Sequence, residues 1–70
     1  MPPREVLFEF QQIGAYVKVC AIDPETGTEA VISGPASADQ ETLKRNAVKR
    51  LDFVLARKAQ AAGSRPKGGR

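Results

Sequence analysis

The sequence predicts an α+β fold in which a three-stranded antiparallel β-meander is followed by one C-terminal amphipathic helix. Two stretches before Asp23 alternate apolar and polar residues, which is typical of strands. Turn-forming residues separate these stretches from each other and from a third. Apolar residues then recur at three- and four-residue intervals from Leu43 to Leu55, which indicates a helix. At 70 residues and 41% hydrophobic content, the chain is sized for one small domain.

The first two strands are predicted on either side of Gly14. Segments 5–13 and 15–22 are rich in β-branched and aromatic residues. Gly14 and Ala15 fit a two-residue hairpin turn, because glycine tolerates the positive φ angle that such turns need. This turn pairs Ile13 with Tyr16, and the resulting register places four residues on a core face: Phe8, Phe10, Val19 and Ala21.

The second turn is predicted at residues 23–27, whose sequence is Asp-Pro-Glu-Thr-Gly. Asp at the first position, Pro at the second and Gly at the end are typical of a type I turn with a left-handed residue after it. Pairing Asp23 with Thr28 adds Ala30 and Ile32 to the same core face. Gly34-Pro35 should end the third strand, because proline cannot donate to a ladder.

A helix is predicted over about residues 38–60. Ser37 and Gln40 have the spacing of a capping box, which makes Ser37 the expected N-cap. The apolar stripe of the helix should lie across the core face of the sheet; its members are Leu43, Ala47, Val48, Leu51, Val54 and Leu55. We therefore predict one domain over residues 1–60 and a disordered basic tail over 61–70.

The formal net charge of +3 resides in that tail. Residues 1–58 carry eight basic and eight acidic side chains, but residues 37–58 alone are net positive. A basic helix can lie against phosphates, so weak sequence-independent nucleic-acid binding is an alternative function. Its contacts would be Lys44, Arg45, Lys49, Arg50 and Arg57, helped by Arg65, Lys67 and Arg70 of the tail.

The residues that carry most enzyme chemistry are scarce. The sequence has no His and one Cys, so it can form neither an intramolecular disulfide nor a zinc site of Cys and His ligands. Cys20 lies within a strand with nothing in the sequence to lower its pKa, and Glu9 and Glu29 should be solvated. We predict no catalytic, cofactor or metal site. Without an apolar leader or membrane span, we expect a cytoplasmic protein.

The sheet face that the helix does not cover is predicted to be too apolar to stay in water. We expect self-association as a homodimer; the residues predicted to carry it are Leu7, Tyr16, Ile22, Val31 and Phe53. Face packing, edge pairing and an intertwined or domain-swapped helix exchange about Gly34-Pro35 all stay open. Three further alternatives stay open. The sheet face could remain partly wet, or a protein partner could add a strand beside residues 28–33. The Phe53 ring could be covered by Lys and Arg stems or stacked on a base.

Several segments resemble a family of short, uncharacterised bacterial proteins. They are Phe8-Glu9-Phe10, Ile13-Gly14, Val17-Lys18-Val19, Ala21-Ile22-Asp23-Pro24, Thr26-Gly27-Thr28-Glu29 and Gly34-Pro35-Ala36-Ser37. The resemblance spans about residues 5–58 and is most specific in the last three segments. It implies a similar small fold. The family is a domain of unknown function, so the resemblance supplies no catalytic residues.

Overall fold

A computed structural model describes residues 4–63 of the chain. Its elements are β1 (Leu7–Ile13), β2 (Tyr16–Asp23), β3 (Thr28–Pro35) and α1 (Gln40–Gly63). The strands form one antiparallel sheet in the order β1-β2-β3. The predicted β-β-β-α fold is therefore confirmed.

The two turns set the register that the sequence predicts. Ile13 pairs with Tyr16 around Gly14, whose φ angle is 60°. Asp23 pairs with Thr28 around the second turn, where the amide of Gly27 donates to the Asp23 carbonyl oxygen at 2.7 Å. The Asp23 carboxylate also accepts hydrogen bonds from the amide of Glu25, at 3.1 Å, and the hydroxyl of Thr26, at 3.0 Å. Side-chain and backbone bonds together hold this loop closed.

The core lies between the inner face of the sheet and α1. Its buried members come from β2, β3 and the apolar stripe of the helix; they are Val17, Val19, Ala21, Ala30, Leu43, Ala47 and Leu51. Phe8, Ile32, Val54 and Leu55 pack around them half-buried. This arrangement follows from period-two strands facing a helix with an apolar stripe.

The helix covers less of the sheet than the sequence led us to expect. It packs against β3 and β2, so the inner side of β1 is left partly open and Phe10 is 36% exposed. The expectation that α1 buries Phe10 was wrong, although Phe10 does lie opposite Val19. Gly34 allows a close approach on the β3 side, since a Cβ there would lie 2.6 Å from Cδ2 of Leu43.

The helix also begins later than expected. Ala38 donates its amide to the Pro35 carbonyl oxygen at 2.9 Å, so Ser37 belongs to a turn that precedes α1. The N-cap is Asp39, whose carboxylate accepts a hydrogen bond from the Thr42 amide at 3.2 Å. The expected Ser37 cap was wrong. α1 continues to Gly63, beyond the expected end at residue 60, and the rest of the expected tail lies outside the described residues.

Candidate interaction surface

We call the side of the sheet turned away from α1 the outer face. Alternation along each strand places every second residue there. The register groups these residues into four cross-strand rows: Leu7-Ile22-Glu29, Glu9-Cys20-Val31, Gln11-Lys18-Ser33 and Ile13-Tyr16-Pro35. Apolar residues thus gather toward both ends of the face, and a polar row lies between them.

Exposed apolar area is concentrated on this face. Six large hydrophobic side chains are exposed among the described residues, and four of them lie on the outer face: Leu7, Ile13, Tyr16 and Val31. Ile22 is half-buried beside Leu7. The structure therefore brings together four of the five residues predicted for self-association, namely Leu7, Tyr16, Ile22 and Val31.

The fifth predicted residue, Phe53, lies elsewhere. It is 50% exposed on α1 and follows Lys44 by nine residues, which at about 100° per residue places the two on opposite flanks of the helix. Lys44 reaches toward β1, because its ammonium lies 5.5 Å from the ring centroid of Phe8. Phe53 is therefore on the flank away from β1 and takes no part in the outer face.

The ring of Phe53 stays half exposed and has two arginine side chains next to it. The guanidinium carbons of Arg50 and Arg57 lie 5.3 Å and 5.6 Å from its centroid, within cation–π range. These side chains line a shallow hollow together with Val54 and Lys58. The arginine contacts cover the ring in part, and self-association and base stacking stay predictions for its exposed half.

The predicted nucleic-acid residues are divided by the structure. Arg45, Lys49, Phe53 and Arg57 follow at four-residue intervals and so lie along one side of α1, with Arg50 next to them. Lys44 lies on the other flank and is 3.8 Å from the carboxylate of Glu41. Asp52, the one acid within residues 44–58, pairs with Arg4.

β1 is more exposed than the sequence predicts, because Phe10 is exposed in addition to Leu7 and Ile13. It carries three of the six exposed large hydrophobics: Leu7, Phe10 and Ile13. Of its seven residues, Phe8 is half-buried and the other six are exposed. Phe10 was missed because the core face was expected to be covered throughout, and no sequence signal specifies how far across a sheet a helix lies.

Cys20 sits in an acidic setting in the middle of the outer face. Its sulfur lies 3.8 Å from a carboxylate oxygen of Glu29. Burial raises the pKa of the thiol, and the negative charges of Glu29 and then Glu9 raise it further. A thiol with a raised pKa is a poor nucleophile at neutral pH. Within residues 4–63, no group of three or more potential metal ligands is present.

The fold and this surface define a class: small α+β proteins with one helix on a three-stranded sheet and a partly apolar outer face. Residues 3–58 match the family model described as Domain of unknown function (DUF6898), and the chain belongs to that family. No curated protein and no solved structure matches it. α1, the helix of the described region, lacks the run of apolar residues needed to span a membrane.

Proposed function

We propose that the protein is a small non-enzymatic interaction module that acts as a homodimer. The observation that carries this proposal is that, among the described residues, five of the six exposed large hydrophobic side chains lie on one sheet: Leu7, Phe10, Ile13, Tyr16 and Val31. A chain of this length buries only about 60% of the surface that its unfolded form exposes. A second copy would remove apolar area from water and enlarge a marginal core.

The non-enzymatic part of the proposal is supported by the chemistry of the polar groups. The sequence has no His to act as a general base. The thiol of Cys20 faces two carboxylates that raise its pKa, which is the opposite of what nucleophilic catalysis needs. Glu9 and Glu29 are both exposed on the outer face.

Sedimentation equilibrium over a range of micromolar concentrations tests the homodimer. We expect a mass of twice 7.5 kDa at the upper end, with a melting temperature that rises with protein concentration because dissociation is coupled to unfolding. A 7.5 kDa species at every concentration, with a melting temperature independent of concentration, would contradict the proposal.

A second candidate function, weak nucleic-acid binding, is supported by the cationic side of α1. Arg45, Lys49 and Arg57 lie along one side of the helix and make no ion pair among residues 4–63. Such a surface attracts phosphates in a salt-dependent, sequence-independent way. A fluorescent single strand and a duplex at low salt test it: anisotropy should rise at tens of micromolar protein and fall as salt is added. Unchanged anisotropy would remove this candidate.

We further propose that the homodimer resides in the bacterial cytoplasm. The single thiol, which has no second cysteine to pair with, is in keeping with a reducing compartment. Fractionation of a bacterium that carries the chain, followed by detection with an antibody, tests the location. Recovery in the periplasmic or membrane fraction would contradict it.

A further inference from the structure

We infer that the second copy pairs along β1, so that two sheets join edge to edge into one six-stranded antiparallel sheet with its two-fold axis at Phe10. This inference rests on the proposed homodimer and specifies the surface that forms it. It follows from three features of β1: its exposure, the direction of its backbone groups, and the self-complementarity of its side chains.

β1 is an edge strand, and apolar side chains are exposed on both of its faces. Its sequence, LFEFQQI, has one charged residue and neither Pro nor Lys, which are the residues that commonly protect an edge strand from pairing. β3, the other edge, ends in Gly34-Pro35 and is packed by α1. Because β1 exposes Leu7 and Ile13 on the outer side and Phe10 on the inner side, pairing there removes apolar area from both.

The hydrogen bonds between β2 and β3 fix which β1 groups point outward. Ala36 donates its amide to the carbonyl oxygen of Ala15 at 2.9 Å, so the odd-numbered residues of β2 hydrogen-bond to β3 and the even-numbered ones to β1. Through the register, Leu7, Glu9, Gln11 and Ile13 then bond to β2. The backbone groups of Phe8, Phe10 and Gln12 are left directed away from the sheet.

When β1 pairs antiparallel with β1 of the second copy, one register places apolar side chains mostly opposite apolar ones and polar opposite polar. With the axis at Phe10, Leu7 faces the partner's Ile13 and Glu9 faces the partner's Gln11, both on the outer face. Phe10 faces the partner's Phe10 on the inner face, and aromatic cross-strand pairs are favourable. Phe8, Phe10 and Gln12 exchange about six backbone hydrogen bonds across the axis.

The neighbouring registers are worse. An axis at Glu9 places that carboxylate directly opposite the partner's Glu9, which is destabilising. An axis at Gln11 places Glu9 opposite the partner's Ile13 and Phe10 opposite the partner's Gln12. Only the axis at Phe10 brings the two apolar end rows of the outer face into line with each other, and it places Glu9 beside an uncharged polar residue, the partner's Gln11.

Pairing also joins the two cores. A hollow of about 210 Å³ lies on the inner side of β1, lined in part by Phe10, Gln12, Val17 and Leu43. In this register the partner's Phe8 lies opposite Gln12, on the inner face, at the side of that hollow. The exposed Phe10 ring gains an aromatic neighbour at the same time.

A pair of proline variants tests the edge. Gln12→Pro and Ser33→Pro each place proline where the amide points away from the sheet, the first on β1 and the second on β3, so neither removes a ladder bond from the monomer. By sedimentation equilibrium, Gln12→Pro should weaken the homodimer by at least about 100-fold and Ser33→Pro by less than about threefold. A Gln12→Pro homodimer as tight as wild type would overturn the inference, as would a stronger loss in Ser33→Pro.

Disulfide trapping tests the register without disturbing the backbone, and it decides the matter should either proline variant unfold. In a Cys20→Ala background, Leu7→Cys and Ile13→Cys chains are mixed and oxidised. The two positions face each other as a non-hydrogen-bonded pair, with Cα atoms about 4.5 Å apart, within disulfide reach. The mixture should give a disulfide-linked heterodimer, whereas Leu7→Cys alone should not, since its copies would lie about 20 Å apart.

The outcomes separate the inference from the proposal on which it rests. A monomeric wild-type protein contradicts the homodimer itself. A dimeric wild-type protein whose mixed cysteine variants fail to cross-link, or whose Leu7→Cys chains link to each other as readily, overturns the β1 pairing and leaves the homodimer standing.

Discussion

The two edges of the sheet receive very different protection from the same helix. β3 has α1 packed against it, and the Gly34 position lets Leu43 come close. β1 has one half-buried residue out of seven. An α-helix with its side chains is about 10 Å wide and strands are spaced about 4.8 Å apart, so one helix covers about two strands. Because α1 is centred over β3 and β2, the third strand, β1, is left partly open.

The connection between β3 and α1 decides which strand stays open. β3 ends at Pro35 and α1 begins at Gln40, with Asp39 as its N-cap. Such a short link keeps the start of the helix near the end of β3. The contrast between the two edges is therefore a consequence of chain connectivity as well as of apolar content.

The largest effect should come from removing a core side chain under the covered strands. Leu51 is fully buried, so Leu51→Ala should lower the free energy of unfolding by about 3 kcal/mol. Leu7→Ala on β1 should lower it by less than about 1 kcal/mol, because that side chain is already half in water. Urea denaturation at concentrations where the protein is monomeric measures both. Equal losses would contradict the difference between the strands.

A smaller effect should follow from adding one methyl group between β3 and α1. A Cβ at position 34 would lie 2.6 Å from the buried Leu43 side chain, so Gly34→Ala should cost about 1–3 kcal/mol of unfolding free energy through overpacking. Leu43→Ala removes the atom that clashes. In a double-mutant cycle the two substitutions together should therefore cost clearly less than their sum. Additive costs would mean that the helix is not held at that distance.

The strand pairing could be predicted from sequence because local chemistry specifies it. Gly14 and the Asp23 to Gly27 turn each fix a register, and both registers select the same inner face. The lateral position of the helix could not be predicted, because the apolar stripe shows which side of α1 is buried but carries no information about which strands it meets. Phe10 was misjudged for that reason.

A smaller effect on the free energy of unfolding should come from the N-cap of α1. Asp39 and Ser37 are both residue types that commonly cap helices, and their alanine variants distinguish them. The Asp39 carboxylate accepts a hydrogen bond from the Thr42 amide, so Asp39→Ala should cost about 1 kcal/mol of unfolding free energy. Ser37 is exposed in the preceding turn, and Ser37→Ala should change the free energy by less than about 0.3 kcal/mol. Urea denaturation of the two variants compares them, and a larger loss for Ser37→Ala would show that it is the cap after all.

The outer face was predicted more completely than the helix position. Period-two alternation and two turns suffice to place Leu7, Tyr16, Ile22 and Val31 together. Phe53 was grouped with these four residues because the sequence offered none of the five an apolar partner within the chain. Phe53 nevertheless lies on α1, on a different side of the molecule from the outer face. A shared lack of partners does not imply a shared surface, and only the three-dimensional placement of α1 separates the two.

The smallest expected effect is on the pKa of the Cys20 thiol, which lies between a carboxylate on β1 and one on β3. Cys20 on β2 has Glu9 beside it on β1, and Glu29 on β3 lies 3.8 Å from its sulfur. Both carboxylates raise the pKa of the thiol, Glu29 more than Glu9. Removing a negative charge stabilises the thiolate, so Glu29→Gln should lower the pKa of Cys20 and Glu9→Gln should lower it less.

A lower pKa increases the thiolate fraction at any pH below it, and this gain exceeds the accompanying loss of intrinsic nucleophilicity. At pH 8, the rate of reaction with an uncharged thiol reagent should therefore rise in the order wild type, Glu9→Gln, Glu29→Gln. Glu25→Gln, an exposed change in the turn, serves as the matched control and should react like wild type. Equal rates for Glu9→Gln and Glu29→Gln would show that the two edges act alike on the middle of the outer face. If Glu9→Gln reacted faster than Glu29→Gln, the Glu9 carboxylate on β1 would have the stronger effect on the thiol, contrary to the 3.8 Å contact with Glu29.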